Sequence, residues 1–217
     1  MITANKNKTL YEILFHQSTI MLDVFMILAS VVFMAAMANI TIPASYIAAM
    51  EKMFHIPLWP VPITMQTFGV FIVTFFFGSR KGLIAMAAYA LAGLLGFGVF
   101  AGHKSGVDVF LKASEGFKLA PSGGYIIGFL LMAFLVGIMI EKGYGRTGKS
   151  ILLCMLVGEI VLYTIGLPWL WIALGKISWL QVLKFGLVPF IIGDTLKALL
   201  AAALFPYMWK GAEKIGK

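Results

Sequence analysis

Six long apolar runs, separated by short polar or turn-rich segments, organise the chain. They cover Leu22–Ile42, Ile63–Gly78, Gly82–Ala101, Gly124–Ile140, Ile151–Leu174 and Phe185–Met208. Each is near the ~20 residues that cross ~30 Å of hydrocarbon as a helix, the second being short. None shows the sustained alternation of a membrane barrel strand. The pattern predicts an all-α polytopic membrane protein, a bundle of six transmembrane helices. It divides the chain into an N-terminal segment (1–21), a membrane domain (22–208) and a basic C-terminal tail (209–217). Pro43, Pro57, Pro60, Pro62, Pro121, Pro189 and Pro206 fall at or near predicted helix ends, where a missing N–H costs least. Pro168, inside the fifth run and close to Gly166, predicts a kink or the end of regular helix there.

Composition agrees with the pattern. Of 217 residues, 61% are hydrophobic and 12% charged, against roughly 25% charged in average soluble chains. The mean hydropathy is +0.96. Little length is left for a soluble domain, and the expected surroundings are a lipid bilayer. The net charge of +8 is scattered over many short loops, which argues for orientation and against a nucleic-acid partner. Lys6, Lys8, Arg80, Lys81, Lys142, Arg146, Lys149, Lys210, Lys214 and Lys217 fall on one side. Lys52, Lys104, Lys112, Lys118, Lys176 and Lys184 are spread over the longer loops of the other. The positive-inside rule then places both termini in the cytoplasm and the segments 43–62 and 102–123 outside. Trp59, Trp169, Trp171 and Trp179 gather toward the outer side and Trp209 toward the inner, either as an interfacial belt or around the mouth of a site. Ala36-Met37-Ala38 imitates a leader cleavage site, but Asp23 and the five further spans predict that it stays uncut. Cys154 is alone and lies in a span.

Few ionisable residues fall within the runs: Glu159, Asp194 and Lys197, with Asp23 at an edge. A charge at the centre of a membrane helix costs ~2.5–3.5 kcal/mol on insertion scales, so such groups face the bundle interior or a watery cavity. Asp194 and Lys197, three apart, share a helix face. They form an internal ion pair, or they meet a polar ligand. Glu159 is read as structural. Three other stretches have the make-up of a binding wall. "WPVPITMQTFG" carries Thr64, Gln66 and Thr67 into the second run. "YALAGLLGFGVFAG" carries Tyr89 with Gly93, Gly96 and Gly98, which could equally serve helix packing. "APSGGYIIGF" puts Ser122, Gly123 and Gly124 where a helix start could receive a carboxylate. No H-E-x-x-H zinc motif or phosphate-binding loop is present, His16, His55 and His103 lie outside the runs, and no metal or cofactor is expected.

Taken in order, "PVPITMQTFGV", "YALAGLLGFGVFAG", "PSGGYIIGF" and "PFIIGDTLKALLAA" resemble the BioY family of biotin transporters, substrate-binding S components of energy-coupling factor (ECF) transporters. The likeness covers roughly residues 20–208. It implies a non-enzymatic six-helix component of a bacterial cell (inner) membrane that binds biotin near its outer face. The family's G-D-x-x-K motif falls on Asp194 and Lys197, with Asp194 expected to accept the ureido N–H groups and Lys197 beside it. Gln66, Thr67, Tyr89, Gly124 and Tyr125 match further binding positions, with Ser122 standing where the family has threonine. Lys104 or Lys112 could reach the biotin carboxylate. Gly98 replaces a usual proline. A T component and two ATPase subunits are implied as partners, yet "MILASVVFMAAMA" holds no clean Ala-x-x-x-Ala docking stripe, so action alone is the other reading. Other readings are an S component for another small vitamin such as thiamin or riboflavin, an intramembrane enzyme using Asp194, or a structural helical subunit.

Overall fold

A computed structural model describes residues 7–41, 48, 52, 61–112, 114 and 116–215. The expectations for Lys6, Pro43, His55, Pro57, Trp59, Pro60 and Lys217, and most of those for segment 43–62, lie outside them. The chain is helical almost throughout. Helix α1 (Leu10–Leu14) opens with a capping box in which Thr9 and Glu12 satisfy each other's backbone N–H groups. Helix α2 (Ile20–Asn39) begins at a Thr19 cap. Next come α3 (Gln66–Leu94), α4 (Gly123–Glu141), α5 (Gly148–Ala173), the short α6 (Trp179–Gly186) and α7 (Val188–Ile215). Between α3 and α4 two turns of 3-10 helix precede a minute hairpin of strands β1 (Leu111–Lys112) and β2 (Lys118–Leu119).

Five stretches of the described residues are long and apolar enough to cross a membrane. One of them, α3, is two arms. At Gly78 the backbone turns to φ 78°, ψ −159°, outside helical space. Gln66 Nε2 donates to Tyr89 Oη at 2.9 Å, although 23 residues of straight helix would hold them ~34 Å apart. A side chain at Gly82 would begin 3.7 Å from Thr74 Cα. The arms 66–77 and 79–94 therefore lie side by side, and the chain makes the six passes that its apolar pattern predicts.

The reversal is anchored from α4. Glu141 accepts from the Ser79 backbone N–H at 2.7 Å and from its hydroxyl at 2.8 Å, a carboxylate at the start of the second arm. A side chain at Gly78 would meet Glu141 Oε1 at 2.5 Å. At the same end, Leu10, Tyr11 and Ile13 of α1 are buried, with the Tyr11 ring among Phe15, Phe76 and Phe77. Tyr11 also donates to Asp23, which pairs with Lys81 at 2.7 Å.

Several expected boundaries move. The third run was expected to reach Ala101, but α3 ends at Leu94 because the chain doubles back. Phe97 N–H bonds Ala92 O at 3.1 Å, Gly106 N–H bonds Gly93 O at 2.7 Å, and the Phe100 ring occupies the space a Gly93 side chain would need. The fifth helix continues through Pro168 to Ala173, with Gly166 and Leu170 buried on either side of it. The sixth run splits at Leu187, so Phe185 belongs to α6; α7 then passes Pro206 and extends into the expected tail, burying Trp209 and Ala212. Trp209 is no belt residue: it donates to Gly145 O at 2.8 Å beneath the Arg146 guanidinium.

Gly78→Ala is expected to lower stability by about 1–3 kcal/mol, the cost of a residue forced into a glycine-only backbone region. Thermal unfolding of the detergent-solubilised protein checks this. Gly211→Ala, inside α7 and with an added carbon that meets nothing within 4 Å, should instead leave the midpoint unchanged or raise it slightly.

Candidate ligand-binding cavity

At the end of the arms opposite Gly78, the chain builds a cavity whose empty space, open mouth included, is about 650 Å³. The entry to α3, the doubled-back segment around Phe100, the start of α4 and the middle of α5 and α7 all contribute. Non-helical backbone at this depth is tolerated because it is enclosed by protein. Val61, Ile63 and Thr64 are buried, and Met65 N–H bonds Ile40 O at 3.0 Å. The wall has an apolar belt of Phe100, Ile126, Phe129, Leu162 and Phe190.

Deep in the wall lies a network drawn from three helices. Lys197 Nζ donates to Asp194 Oδ1 at 2.9 Å and to Thr67 Oγ1 at 2.8 Å. Tyr163 Oη donates to Asp194 Oδ2 at 2.6 Å, and Thr67 Oγ1 stands 3.4 Å from Oδ1. Asp194 and Lys197 are 8% and 6% exposed, so the pair is nearly dry and each charge depends on the other. Thr67, Tyr163 and Lys197 face the cavity, and Asp194 is not among its wall residues. Three donors cover the Asp194 carboxylate, and it meets the cavity only through them. Lys197 spends two of its three N–H groups on this network.

A second group sits beside it. Thr64 Oγ1 donates to Gln66 Oε1 at 2.9 Å, Gln66 Nε2 donates to Tyr89, and Tyr89 Oη donates to Val99 O at 3.1 Å. Gln66 faces the cavity; Tyr89 stands behind and fixes the Gln66 amide. Tyr125 also lines the wall, its hydroxyl bonded to Gly186 O at 2.9 Å. Gly124 does not line it. A carbon on Gly124 would fall 2.3 Å from Trp169 Cβ, so the glycine serves the close approach of α5, while Trp169 Nε1 donates to Ala120 O at 2.8 Å. Trp169 is thereby a structural pin; Trp171 and Trp179 stack on each other 5.5 Å apart. At the mouth stand Ser122 and the exposed Lys104. Lys112 is on β1, opposite Lys118 and away from the wall.

Sequence reasoning missed Tyr163, Phe100, Phe129 and Phe190. An aromatic residue in an apolar run looks like any other span residue. Only the four-residue spacing of Glu159 and Tyr163 set a polar stripe on α5.

The sequence model of the BioY family matches residues 8–214. The chain is 34% identical over 149 residues to the biotin transporter BioY of Thermotoga maritima, covering 69% of this chain and 81% of that protein. A probable biotin transporter BioY of Pyrococcus horikoshii matches equally, at 34% over 149 residues, 69% and 81%. One from Rickettsia prowazekii is 27% identical over 191 residues, 88% of this chain and 85% of its own. Among solved structures, the S-component for biotin from an ECF-type ABC transporter superposes with a TM-score of 0.70 and 25% identity, covering 89% of this chain and 95% of that one.

Lys197→Met leaves the Asp194 charge buried without its partner and is expected to cost about 3–5 kcal/mol. Adding Asp194→Asn should recover most of the loss. Unfolding midpoints of the two single variants and the double variant, without ligand, test the cycle.

Proposed function

The chain belongs to the BioY family, and from that premise we propose that its cavity takes up biotin as the capture step of transport across a cell membrane. The observation that carries the reading is the make-up of the cavity wall. Gln66, Thr67, Tyr163 and Lys197 bring hydrogen-bonding groups to the wall, the aromatic belt lines it, and Lys104 is its exposed cation among the described residues. Biotin has the matching parts: a polar ureido ring, an apolar ring and chain, and a terminal carboxylate. Lys197 offers its remaining N–H to the ureido oxygen. Gln66 Oε1 and the Tyr163 oxygen offer acceptors to the ureido N–H groups. Asp194 works by fixing Lys197 and Tyr163, which would otherwise be free to turn away. Tyr89 does the same for Gln66, while Gly124 and Tyr125 hold the wall in place.

The distribution of Lys and Arg supports an orientation with both termini in the cytoplasm and the cavity open to the outside. Release then requires the bundle to present the same cavity inward. The structural relative comes from an ECF-type ABC transporter, and in a coupled complex a T component and two ATPases would drive that step.

Calorimetric titration of the purified protein with biotin is expected to show saturable binding, weakened by Asp194→Asn through the loss of its hold on Lys197. Heat equal to that of buffer, from protein shown to be folded, would overturn the assignment. Lys104→Ala should weaken biotin about tenfold or more, the worth of one hydrogen bond to a charged group at ~1.5–3 kcal/mol. The uncharged amide of biotin should bind the Lys104→Ala variant and the unaltered protein alike.

A further inference from the structure

Glu159 has no place in the cavity wall, yet it lies at membrane depth. It stands on α5 (Gly148–Ala173), ~16 Å from the helix start and ~21 Å from its end at ~1.5 Å per residue. Four residues before Tyr163, it occupies the same face one turn away. Tyr163 in turn donates to Asp194. The charges of Asp194 and Lys197 both reach Glu159. Its Oε2 is buried, and no hydrogen bond from a described residue meets it.

An ionised carboxylate would not tolerate such a place, because its charge needs hydrogen bonds or a counter-ion. The count of charges says the same. Lys197 already balances Asp194, so a third charge would stand alone. The titratable groups facing Glu159 are Asp194 and Lys197 from α7 and Tyr163 from its own helix. Beyond Tyr125, α4 has no ionisable residue before Glu141, and the arm 66–77 has none.

We propose that Glu159 is a proton-binding site: it holds a proton while Asp194 pairs with Lys197, and yields it when the Asp194 charge is lost from that pair. The network then carries no net charge in either condition. The O–H bond breaks heterolytically. The electron pair stays on the carboxylate, which takes over Lys197, and the proton passes by way of the Tyr163 hydroxyl to Asp194; where Asp194 is replaced by asparagine it is lost to water instead. Any step of transport that neutralises Asp194 therefore shifts one proton within the network and releases none. This inference does not depend on what fills the cavity.

The test is infrared difference spectroscopy of the ligand-free protein in detergent at neutral pH. Subtracting the Glu159→Gln spectrum from that of the unaltered protein is expected to reveal the carbonyl band of one protonated carboxylic acid. In Asp194→Asn the band should vanish and a carboxylate band should replace it. In the double variant neither should be present. No acid band lost in Glu159→Gln, or a band that survives Asp194→Asn, overturns the proposal. The isosteric Glu159→Gln comparison decides the resting proton even where Asp194→Asn yields no folded protein.

Discussion

One ion pair sets the terms for the rest of the molecule. Asp194 and Lys197 are 2.9 Å apart in surroundings that supply almost no water, so every remaining donor and acceptor must come from the protein or from what it binds. Thr67 and Tyr163 meet that demand from α3 and α5. Three helices are thereby fixed in rotation about their own axes, because a modest turn of any one would leave a buried charge unmet. The apolar belt beside the network needs no such precision, and it excludes water from the pair.

Much of this was legible in the chain. Six passes follow from hydropathy, because six apolar runs are near the length that hydrocarbon thickness demands, the second falling short of it. Asp194 and Lys197 were visible because charges in an apolar run are conspicuous. Their division of labour was not. Which of two neighbouring polar groups faces a cavity depends on helix rotation, and spacing fixes only their relative angle. Tyr89 and Gln66 illustrate the same limit: both belong to one cluster, yet the tyrosine stands behind the glutamine. Gly96 and Gly98 suggested helix packing and lie instead in a turn, because the chain folds Phe100 back over Gly93. The docking of α1 left little trace, since five residues with three buried are too few for a period to emerge.

The two ends of the bundle are built differently. Around Gly78 the polar contacts are short, local and paired: Glu141 with Ser79, Asp23 with Lys81 and Tyr11. They bind the helices to one another and take no part in the wall of the ligand-binding cavity. At the other end, irregular backbone at 61–65 and 95–110 replaces helix, and its polar side chains leave hydrogen-bonding capacity unspent. Rigidity at one end and chemical openness at the other suit a component that must hold its shape while a solute enters.

The reversal at Gly78 also bears on how the chain reaches the bilayer during synthesis. At ~1.5 Å per residue the arms 66–77 and 79–94 are ~18 and ~24 Å long, and neither alone matches ~30 Å of hydrocarbon. Arg80 and Lys81 stand just past the turn, at its polar tip. The two arms are therefore a single unit of insertion, entering as a closed loop whose halves shield each other. The half-built site, with Gln66 already against Tyr89, is delivered into the membrane before α5 or α7 has been made.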